Sequence, residues 1–427
     1  MSKIKIGVLG GTRGLDFLTR VLVNHPCAEV TAICEAHAGL REKIRSAAQA
    51  LSGRLEVFSD YDEFLSSGVD AVIIANFANE HAPYAIRALK RGVHVLSENL
   101  PTQTMGEAVA LTEAVEQSGK IYAYGENYCY LPHILEMRRI FERGEMGALM
   151  YAEGNFINDC SFKWHLLTRG NKNHWRNFVP STFYCTHSIG PLMYTTGLRA
   201  ETVVGMETPL MPYMAAVGAR SGSAAVEIMQ LEGGAVAKSM NGNYRRDYSA
   251  DYRLIAENGT IETNVYSFGE LRVARVNPKS GGYDIETITP PYRFDEIPVY
   301  SYKDMSAMHS FEQADVYLIN VFIQAMLGDS AAKKYMIDVY RALDMSTVGL
   351  LAYRSILSGS HSVGIPNFRN AAEREAWRND RHSTDSSISA GSDLLPSCKS
   401  GFVVADDAVY ERVRQKFDAA PMTFGSH

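Results

Sequence analysis

The chain has 427 residues, with 42 Lys and Arg against 48 Asp and Glu, which gives a formal net charge of −6. This length is too great for one ordinary hydrophobic core and predicts two domains and a tail. No run of Lys or Arg marks a surface for a polyanion, so nucleic acid is not an expected partner. No apolar run approaches the roughly 20 residues that a membrane helix needs, so no membrane partner is expected either.

The cysteines and the first residues indicate a compartment. The six cysteines form no Cys-x-x-Cys pair, and the start, Met-Ser-Lys-Ile-Lys-Ile, contains no apolar signal segment. This pattern is typical of reduced chains rather than of disulfide-bonded secreted ones. We therefore expect a cytoplasmic protein.

Short apolar strands alternate with helical segments over the first 125 residues. The predicted strands are residues 5–9, 30–34, 71–75, 93–96 and 121–124. Helical spacing of apolar residues follows the first strand and recurs at 82–91 and 104–118. This alternation predicts an α/β Rossmann domain, a doubly wound parallel sheet, at residues 1–125.

The pattern changes after about residue 148. The predicted strands are residues 149–157, 201–206, 225–231, 235–240, 252–256 and 260–265, and we expect them without intervening helices. Gly233-Gly234 and Asn258-Gly259 are typical hairpin turns. A helical stretch at 309–357 completes an α+β domain at residues 126–380 with an open, largely antiparallel sheet.

The last part of the chain, residues 381–427, is expected to be a linker and a C-terminal extension. Residues 381–401 are rich in Ser, Gly and Asp, as a surface linker would be. Residues 406–417 predict a docked terminal helix.

The turn after the first strand, Gly10-Gly11-Thr12-Arg13-Gly14, predicts a dinucleotide site. Its glycines would let the backbone approach a pyrophosphate at the N-terminus of the following helix. Its spacing does not match G-x-G-x-x-G, so a plain structural turn is the alternative. Glu35 ends the second strand, where a carboxylate accepts hydrogen bonds from the adenosine ribose and repels a 2′-phosphate, which favours NAD over NADP. The alternative for Glu35 is an ordinary solvated carboxylate.

With these elements, Asn79-Glu80-His81 and residues 92–98 (GVHVLSE), the chain resembles the Gfo/Idh/MocA oxidoreductases over residues 3–380. In that family a strand ending in Glu-Lys-Pro places a lysine near the nicotinamide. Here the segment is Glu98-Asn99-Leu100-Pro101, so the lysine is missing and Asn99 can offer only hydrogen bonds. The cofactor contacts that we expect around NAD, besides the turn and Glu35, are Asn76, His81, Glu98 and Asn127.

A narrower similarity connects residues 126–130 (ENYCY), Gly144-Glu145-Met146-Gly147, Trp175-Arg176, the segment Tyr184-Cys185-Thr186-His187-Ser188-Ile189-Gly190-Pro191, and His309. It resembles the branch of NAD-dependent α-N-acetylgalactosaminidases, which also lacks the lysine. Those enzymes oxidise sugar carbon 3, remove the proton from carbon 2, eliminate the group on carbon 1, add water and return the hydride. The resemblance implies that Glu126, Tyr184 and His187 are catalytic. The branch's further tyrosine has no secure match, with Tyr300 and Tyr302 as candidates.

The residue types suit this chemistry. An imidazole, which titrates near neutral pH, can take the hydroxyl proton as the hydride departs, and His187 is our first choice for that role. Tyr184 would remove the carbon 2 proton if a neighbouring cation lowered its pKa. Glu126 would orient the sugar or assist the leaving group. The alternatives are a structural histidine, a core tyrosine and a capping carboxylate.

Five further residues, all expected to contact substrate, are Asn99, Tyr128, Trp175, Arg176 and His309. Flat apolar surfaces beside hydrogen-bond donors are typical of sugar recognition, although a buried aromatic loop is the alternative for Trp175-Arg176. We expect His309 to line the pocket with Asp315, unless it only starts a helix. Cys185 and His187 with His309 or Cys160 could in principle bind zinc, but their spacing matches no ligand pattern, and we expect no metal.

The sequence thus favours an NAD-dependent enzyme that oxidises a sugar ring hydroxyl, with its pocket between the two domains. The reaction is either a net oxidation or the first step of redox-neutral glycoside cleavage. A simple sugar or polyol dehydrogenase is the first alternative. A non-catalytic NAD-binding regulatory subunit is the second, since the lysine is missing. Alternating apolar residues on the open sheet, Val226, Ile228 and Leu231, predict self-association as a dimer or tetramer.

Overall fold

The computed structural model describes residues 3–51, 55–264, 267–290 and 294–420. The strands are, in chain order, β1 (Ile4–Leu9), β2 (Ala28–Cys34), β3 (Glu56–Phe58), β4 (Ala71–Ile74), β5 (His94–Ser97), β6 (Tyr122–Tyr124), β7 (Leu149–Ile157), β8 (Ala200–Glu207), β9 (Ala224–Leu231), β10 (Val236–Gly242), β11 (Ser249–Ala256), β12 (Gly259–Thr263), β13 (Leu271–Asn277), β14 (Gly282–Ile288) and β15 (Val363–Gly364).

The α-helices are α1 (Arg13–Asp16), α2 (Ala38–Leu51), α3 (Tyr61–Leu65), α4 (His81–Lys90), α5 (Met105–Ser118), α6 (Pro132–Glu142), α7 (Trp164–Thr168), α8 (Thr186–Thr196), α9 (Pro212–Ala215), α10 (Ser310–Met326), α11 (Ser330–Tyr335), α12 (Val339–Leu357), α13 (Ala371–Glu375) and α14 (Asp407–Asp418). A π-helical turn, Phe17–Val21, continues α1. Within the described ranges, no helix combines the length and the apolar character that a membrane crossing requires.

Contacts divide the chain into two compact units. The first unit comprises Met1–Pro132 and Pro291–Leu343, and the second comprises His133–Pro290 and Asp344–His427. The chain therefore leaves the first unit, builds most of the second, and returns. The sequence pattern did not indicate this return.

The first unit contains a parallel sheet with the strand order β3-β2-β1-β4-β5-β6. Its centre is apolar because both faces are covered: Ile6, Val8 and Ile73 are fully buried. The order reverses between β1 and β4, and in such sheets ligands bind outside the carboxyl ends of the strands at the reversal. The predicted parallel, doubly wound sheet is confirmed.

The second unit contains a sheet with the order β14-β13-β12-β11-β7-β10-β9-β8-β15. Its neighbouring strands are antiparallel except for the parallel pair β7 and β10. The predicted largely antiparallel sheet is confirmed, and Gly233-Gly234 and Asn258-Gly259 do join antiparallel neighbours. The expectation of strands without intervening helices is wrong, because α7 and α8 lie between β7 and β8. The end of the last predicted strand, Val265, lies outside the described residues.

One face of this sheet is covered by α8, which contacts β7, β10 and β11. The opposite face carries exposed apolar side chains, including Met206 and Ile228, which are 61% and 43% exposed. Val226 is half-buried on that same face, opposite Met206. Leu231 was predicted there too but is buried at 2% exposure, because it shares the parity of the inward residues on β9.

Residues 381–401 do not form an exposed linker. Ser383, Asp385 and Ser389 are buried, and short bridges join Ser383 to Leu394 and Cys398 to Gly401. The Asp385 carboxylate accepts hydrogen bonds from the backbone and the hydroxyl of Ser387. Serine and aspartate here bond to local backbone, which composition alone cannot distinguish from solvation.

Candidate functional site

The turn after β1 brings the backbone against its neighbours at glycine positions. Gly10 has a φ of 98°, and a Cβ on it would lie 2.6 Å from the carbonyl oxygen of Ala75. A Cβ on Gly14 would lie 2.3 Å from Cγ1 of Val8 on β1. Any side chain would therefore push the helix from the strand, and such close packing is what a dinucleotide turn requires.

Glu35 follows β2 and is fixed beside this turn. Its carboxylate accepts hydrogen bonds from the backbone N–H of Gly11 and of His37, both at 2.7 Å. The Arg41 guanidinium donates to the Glu35 carbonyl at 2.8 Å. The half-buried carboxylate thus stands at the end of the second strand, where an adenosine ribose binds in dinucleotide folds.

Arg13 does not extend into solvent from the turn. Its Nε donates to Glu98 at 2.9 Å, while its two terminal nitrogens donate to both oxygens of Asp315 on α10 at 2.9 and 2.7 Å. These carboxylates raise the pKa of Arg13, although burial acts to lower it. Thr12 lies exposed at the N-cap of α1.

Asp315 also binds a residue that follows another strand. The Asn127 amide, after β6, donates to Asp315 at 3.2 Å. The backbone N–H of Asn99 donates to Glu98 at 3.2 Å. Three predicted cofactor residues, Arg13, Glu98 and Asn127, are therefore connected in one polar cluster through a residue that the sequence suggested only as a pocket neighbour.

His81 is buried between two of the loops that follow the strands. Its ring nitrogens lie 3.0 Å from the carbonyl oxygen of Leu100 and 3.3 Å from that of Asn76. Burial lowers the pKa of His81 to about 4, so the ring is neutral and donates from one nitrogen only. The Asn76 amide in turn donates to Glu80 at 2.8 Å. His81 therefore orders the loop that presents Asn76.

Glu126 is fully buried directly after β6. It caps the 3₁₀ turn Asn127–Tyr130, where its carboxylate accepts from the backbone N–H of Tyr128 at 3.3 Å. The Tyr128 ring packs edge-on against Phe311, with centroids 5.3 Å apart. This contact is the capping one that we named as the alternative to catalysis, and the catalytic role of Glu126 stays a prediction.

The remaining candidates of the first unit lie in the segment that leads into α10. His309 is exposed at the N-cap position of that helix and makes no capping hydrogen bond with its side chain. The Tyr302 hydroxyl donates to Glu312 at 3.4 Å. Tyr300 packs edge-on against His25 at 5.2 Å.

In the second unit Tyr184 and His187 meet at the start of α8. Their rings are stacked, with centroids 5.6 Å apart and 25° between the planes. The turn is closed by a hydrogen bond from the backbone N–H of His187 to the carbonyl of Tyr184 at 3.3 Å. Both side chains are half-buried. The predicted proximity of phenol and imidazole is therefore present in the structure.

His187 is supported from the sheet. The Phe156 ring on β7 meets the imidazole edge-on at 4.6 Å, and the Tyr252 hydroxyl donates to the His187 carbonyl at 2.6 Å. Phe156 also contacts Tyr248, with centroids 6.2 Å apart. The sequence reasoning missed these supports. The signal that could have identified Phe156 was the alternation along β7, which places it on the face covered by α8.

Trp175 and Arg176 lie beside Tyr184. The Trp175 ring centroid is 6.1 Å from that of Tyr184, and the Arg176 guanidinium lies 4.5 Å above Trp175 and 5.5 Å from Tyr184. The Trp175 indole N–H is buried and has no hydrogen-bond partner in the described part of the chain. Burial, with the charge of Arg176 next, lowers the pKa of the adjacent His174 to about 3, so His174 is neutral.

We call Phe156, Trp175, Arg176, Tyr184 and His187 the aromatic cluster. It offers flat surfaces, a guanidinium, an unsatisfied indole donor and two proton-transfer groups. Of the predicted site residues, all members of the aromatic cluster except Phe156 are thus grouped in the second unit, and Arg13, Glu98 and Asn127 are grouped in the first unit. Across residues 3–51, 55–264, 267–290 and 294–420, no three His, Cys, Asp or Glu side chains are arranged to hold a metal ion.

The comparisons with known proteins agree with the fold. Residues 4–126 match the model of the Gfo/Idh/MocA family, described as an oxidoreductase family with an NAD-binding Rossmann fold. An inositol dehydrogenase homologue from Azotobacter vinelandii, solved with NAD⁺, superposes with a TM-score of 0.69 at 15% identity, covering 85% of this chain and 97% of that one. A levoglucosan dehydrogenase solved with NADH gives 0.65 at 17% identity, over 86% and 100%. Identities this low show the fold alone.

The proteins that are similar in sequence are named glycosyl hydrolases rather than dehydrogenases. A glycosyl hydrolase family 109 protein from Stenotrophomonas maltophilia is 22% identical, covering 87% of this chain and 90% of that protein. Another, from Phocaeicola vulgatus, is 23% identical over 87% and 96%. The chain therefore resembles these proteins over most of its length, and the resemblance inferred from its motifs is confirmed.

Proposed function

We propose that this chain, which carries the NAD-binding Rossmann domain of the Gfo/Idh/MocA oxidoreductases at residues 4–126, oxidises a ring hydroxyl of a sugar, at carbon 3, as the first step of redox-neutral glycoside cleavage. The observation that carries this proposal is the stacked pair Tyr184 and His187. Two proton-transfer groups of different basicity suit a substrate that must lose two protons from neighbouring positions.

The first unit supplies the cofactor site. The glycine turn and Glu35 would hold the adenosine half of NAD, and the polar cluster of Arg13, Glu98 and Asn127 lies at the strand ends on the other side of the chain reversal, where the nicotinamide half belongs. Bound NAD would accept and return the hydride. The close glycine packing and the fixed carboxylate both fit such a dinucleotide.

The second unit supplies the sugar contacts. Arg176 has no carboxylate partner in the described ranges, and its plane is set by Trp175 and Tyr184, so its donors remain for sugar oxygens. The Trp175 indole N–H adds a further buried donor. A buried donor without an acceptor is costly, and a ligand oxygen would remove that penalty.

His187 would take the hydroxyl proton, and Tyr184 would take the proton from carbon 2. The Arg176 guanidinium 5.5 Å from the Tyr184 ring favours the phenolate that such a base requires. An arginine cannot replace the lysine missing at Asn99 as a proton donor, because guanidinium keeps its proton. The tyrosine and histidine would therefore carry the proton transfers of the oxidation and of the carbon 2 step, and Glu126 would orient the sugar or assist the leaving group.

A simple sugar dehydrogenase is the second candidate, supported by the inositol and levoglucosan dehydrogenases that share the fold. The deciding experiment is a panel of chromogenic glycosides and free sugars, followed at both the dye and the NADH wavelengths. Aglycone release without net NADH supports the glycosidase. NADH that accumulates with sugar supports the dehydrogenase. If neither signal appears, the remaining candidate is a non-catalytic NAD-binding subunit.

A further inference from the structure

The C-terminal helix α14 packs on the segment that carries Trp175 and Arg176. It contacts α7, and its inward side chains Tyr410 and Val413 are buried at 5% and 6% exposure. Both side chains are removed from water, and this burial favours the docked position of the helix. The helix is thus a docked part of the second unit.

Tyr410 fixes the helix to a glycine turn that follows α9. Its hydroxyl donates to the Gly218 carbonyl at 3.0 Å. A Cβ on Gly218 would lie 2.6 Å from Cε1 of the Tyr410 ring, and Gly218 has a φ of 93°. Only glycine therefore suits this position, and the tyrosine ring occupies the space that glycine leaves.

A second glycine receives the backbone of α14. A Cβ on Gly170 would lie 2.6 Å from both the Tyr410 carbonyl oxygen and the Arg414 nitrogen. The Arg414 guanidinium also lies 3.5 Å from the Gly170 carbonyl. The helix thus rests directly on the chain five residues before Trp175.

Charged contacts mark both ends of the helix. Lys172 lies 3.1 Å from Asp407 near the start, and the Arg169 guanidinium lies 5.7 Å from the Phe417 ring near the end. The Lys172 pair is exposed and contributes little stability, so these contacts mainly set orientation.

Hydrogen bonds of the buried Asn177 connect the segment after Gly170 with the aromatic cluster. The Asn177 amide donates to the Asn171 carbonyl at 2.9 Å, and its oxygen accepts from the Trp164 indole at 3.0 Å. The His174 N–H donates to the same Asn171 carbonyl at 3.0 Å. The turn between Gly170 and Trp175 is therefore closed by its own hydrogen bonds, and α14 fixes the position of this turn.

We propose that α14 is a positioning strap for substrate: by holding residues 169–177, it sets the placement of Trp175 and Arg176 and hence the affinity for sugar, without acting on the nucleotide site. This rests on the proposed function where it assigns Trp175 and Arg176 to the sugar. The contacts that carry it, Tyr410 with Gly218 and the α14 backbone with Gly170, hold whatever the substrate is.

The first test measures amide hydrogen exchange in the full-length protein. Tyr410→Ala should raise exchange at 164–179 by about tenfold or more, because it removes most of the buried contact, and should leave β7 and β10 unchanged. Arg412→Ala, exposed on the same helix, is the matched control and should change nothing. If Tyr410→Ala fails to fold, Tyr410→Phe keeps the ring, loses only the hydroxyl bond and should show a smaller increase at the same residues.

The second test measures turnover and NAD affinity in the same variants with p-nitrophenyl glycosides. The strap requires KM to rise for the glycoside that the wild type accepts, with the Kd for NAD nearly unchanged. The value of kcat should fall as well, because Arg176 also favours the phenolate of Tyr184. Unchanged exchange at 164–179, or an increase spread evenly over the second unit, would overturn the strap. Raised exchange with unchanged KM would overturn its link to substrate. A wild type without turnover refutes the proposed function alone, since hydrogen exchange still decides whether the strap exists.

Discussion

The rings of Tyr184 and His187 are stacked 5.6 Å apart, and the Arg176 guanidinium lies 5.5 Å from the tyrosine ring. A cation at this position favours the phenolate form that a base requires. The histidine is instead surrounded by Phe156 and the stacked tyrosine, which hold its ring in one orientation.

Variants of this pair should stop the reaction at different stages. His187→Ala should reduce hydride transfer by about 10²-fold or more, the usual contribution of a positioned acid or base, with NAD affinity nearly intact. Tyr184→Phe should still permit oxidation but block exchange of the carbon 2 proton with deuterated water. Undiminished exchange in Tyr184→Phe would remove Tyr184 from the mechanism and direct attention to Tyr128, Tyr300 or Tyr302.

Glu35 should decide between the two nicotinamide cofactors. Its carboxylate is fixed by the N–H groups of Gly11 and His37, so it can present a defined negative charge to a ribose. Glu35→Arg should weaken NAD binding by about 10- to 100-fold, the value of charged hydrogen bonds, and weaken NADP binding less. Calorimetric titration measures both, with Glu42→Arg on exposed α2 as the control. Equal losses for both cofactors would refute the ribose assignment.

The ion pair between Arg13 and Asp315 should be energetically coupled. Bidentate geometry and partial burial place it above exposed pairs, and we expect a coupling free energy of about 1–3 kcal/mol in a double-mutant cycle of Arg13→Ala and Asp315→Ala. The exposed pair Arg45 and Glu42 should give at most about 0.5 kcal/mol. Chemical unfolding supplies the four free energies of each cycle. Equal coupling in both cycles would show that the Arg13 geometry contributes nothing beyond surface charge.

Glu227 should make stability fall as pH rises. It is fully buried on β9, where it accepts from the Asn241 amide at 2.9 and 3.0 Å, and desolvation raises its pKa from 4.5 to about 7. Between these values the folded state binds more protons than the unfolded state, so the free energy of unfolding decreases with increasing pH.

In Glu227→Gln this decrease should be absent. The variant should gain on the wild type by up to about 3 kcal/mol between pH 4.5 and pH 7, the free energy of a shift of this size. Urea unfolding across this range measures the difference, and Glu201→Gln, exposed on β8, should follow the wild type. Parallel curves for Glu227→Gln and wild type would mean that burial does not raise the pKa of Glu227 in this way.

The exposed sheet face should mediate self-association. Met206 and Ile228 lie there, 61% and 43% exposed, and an apolar face of this kind is stabilised by a cover. Light scattering at micromolar concentration should report a multiple of 47.3 kDa for the wild type and a shift toward the monomer for Ile228→Lys. Val404→Lys, at a position 90% exposed outside the sheet, should not change the mass. A monomeric wild type would refute this prediction.

The parts of the fold that depend on local pattern were predictable. Period-two and helical spacing identified the central strands of both sheets and the helices α1, α4, α5, α10, α12 and α14, since each pattern reports which faces are buried. Strands β13 and β14 were missed because their charged and exposed residues, such as Arg272 and Tyr283, give little alternation. Helix α8 was missed because Gly190 and Pro191 lie inside it, where propensity predicts a break.

The site was predictable where neighbours in sequence are neighbours in space. Tyr184 and His187 are three residues apart and their proximity followed from that spacing. The partner of Arg13 was not predictable, because Asp315 lies 302 positions away and nothing in either local pattern refers to the other. The motif assigned Arg13 to the cofactor but did not show that its guanidinium also binds two carboxylates.

The return of the chain to its first unit has a consequence during synthesis. At about 5–20 residues per second, the ribosome would take roughly 15 to 60 s to add the 302 residues between Arg13 and Asp315. The nascent first unit therefore waits without α10 while β7 to β14, eight strands of the nine-stranded sheet, emerge. Its uncompleted surface is exposed to chaperones throughout that interval, and a translational pause placed before residue 310 would lengthen the exposure.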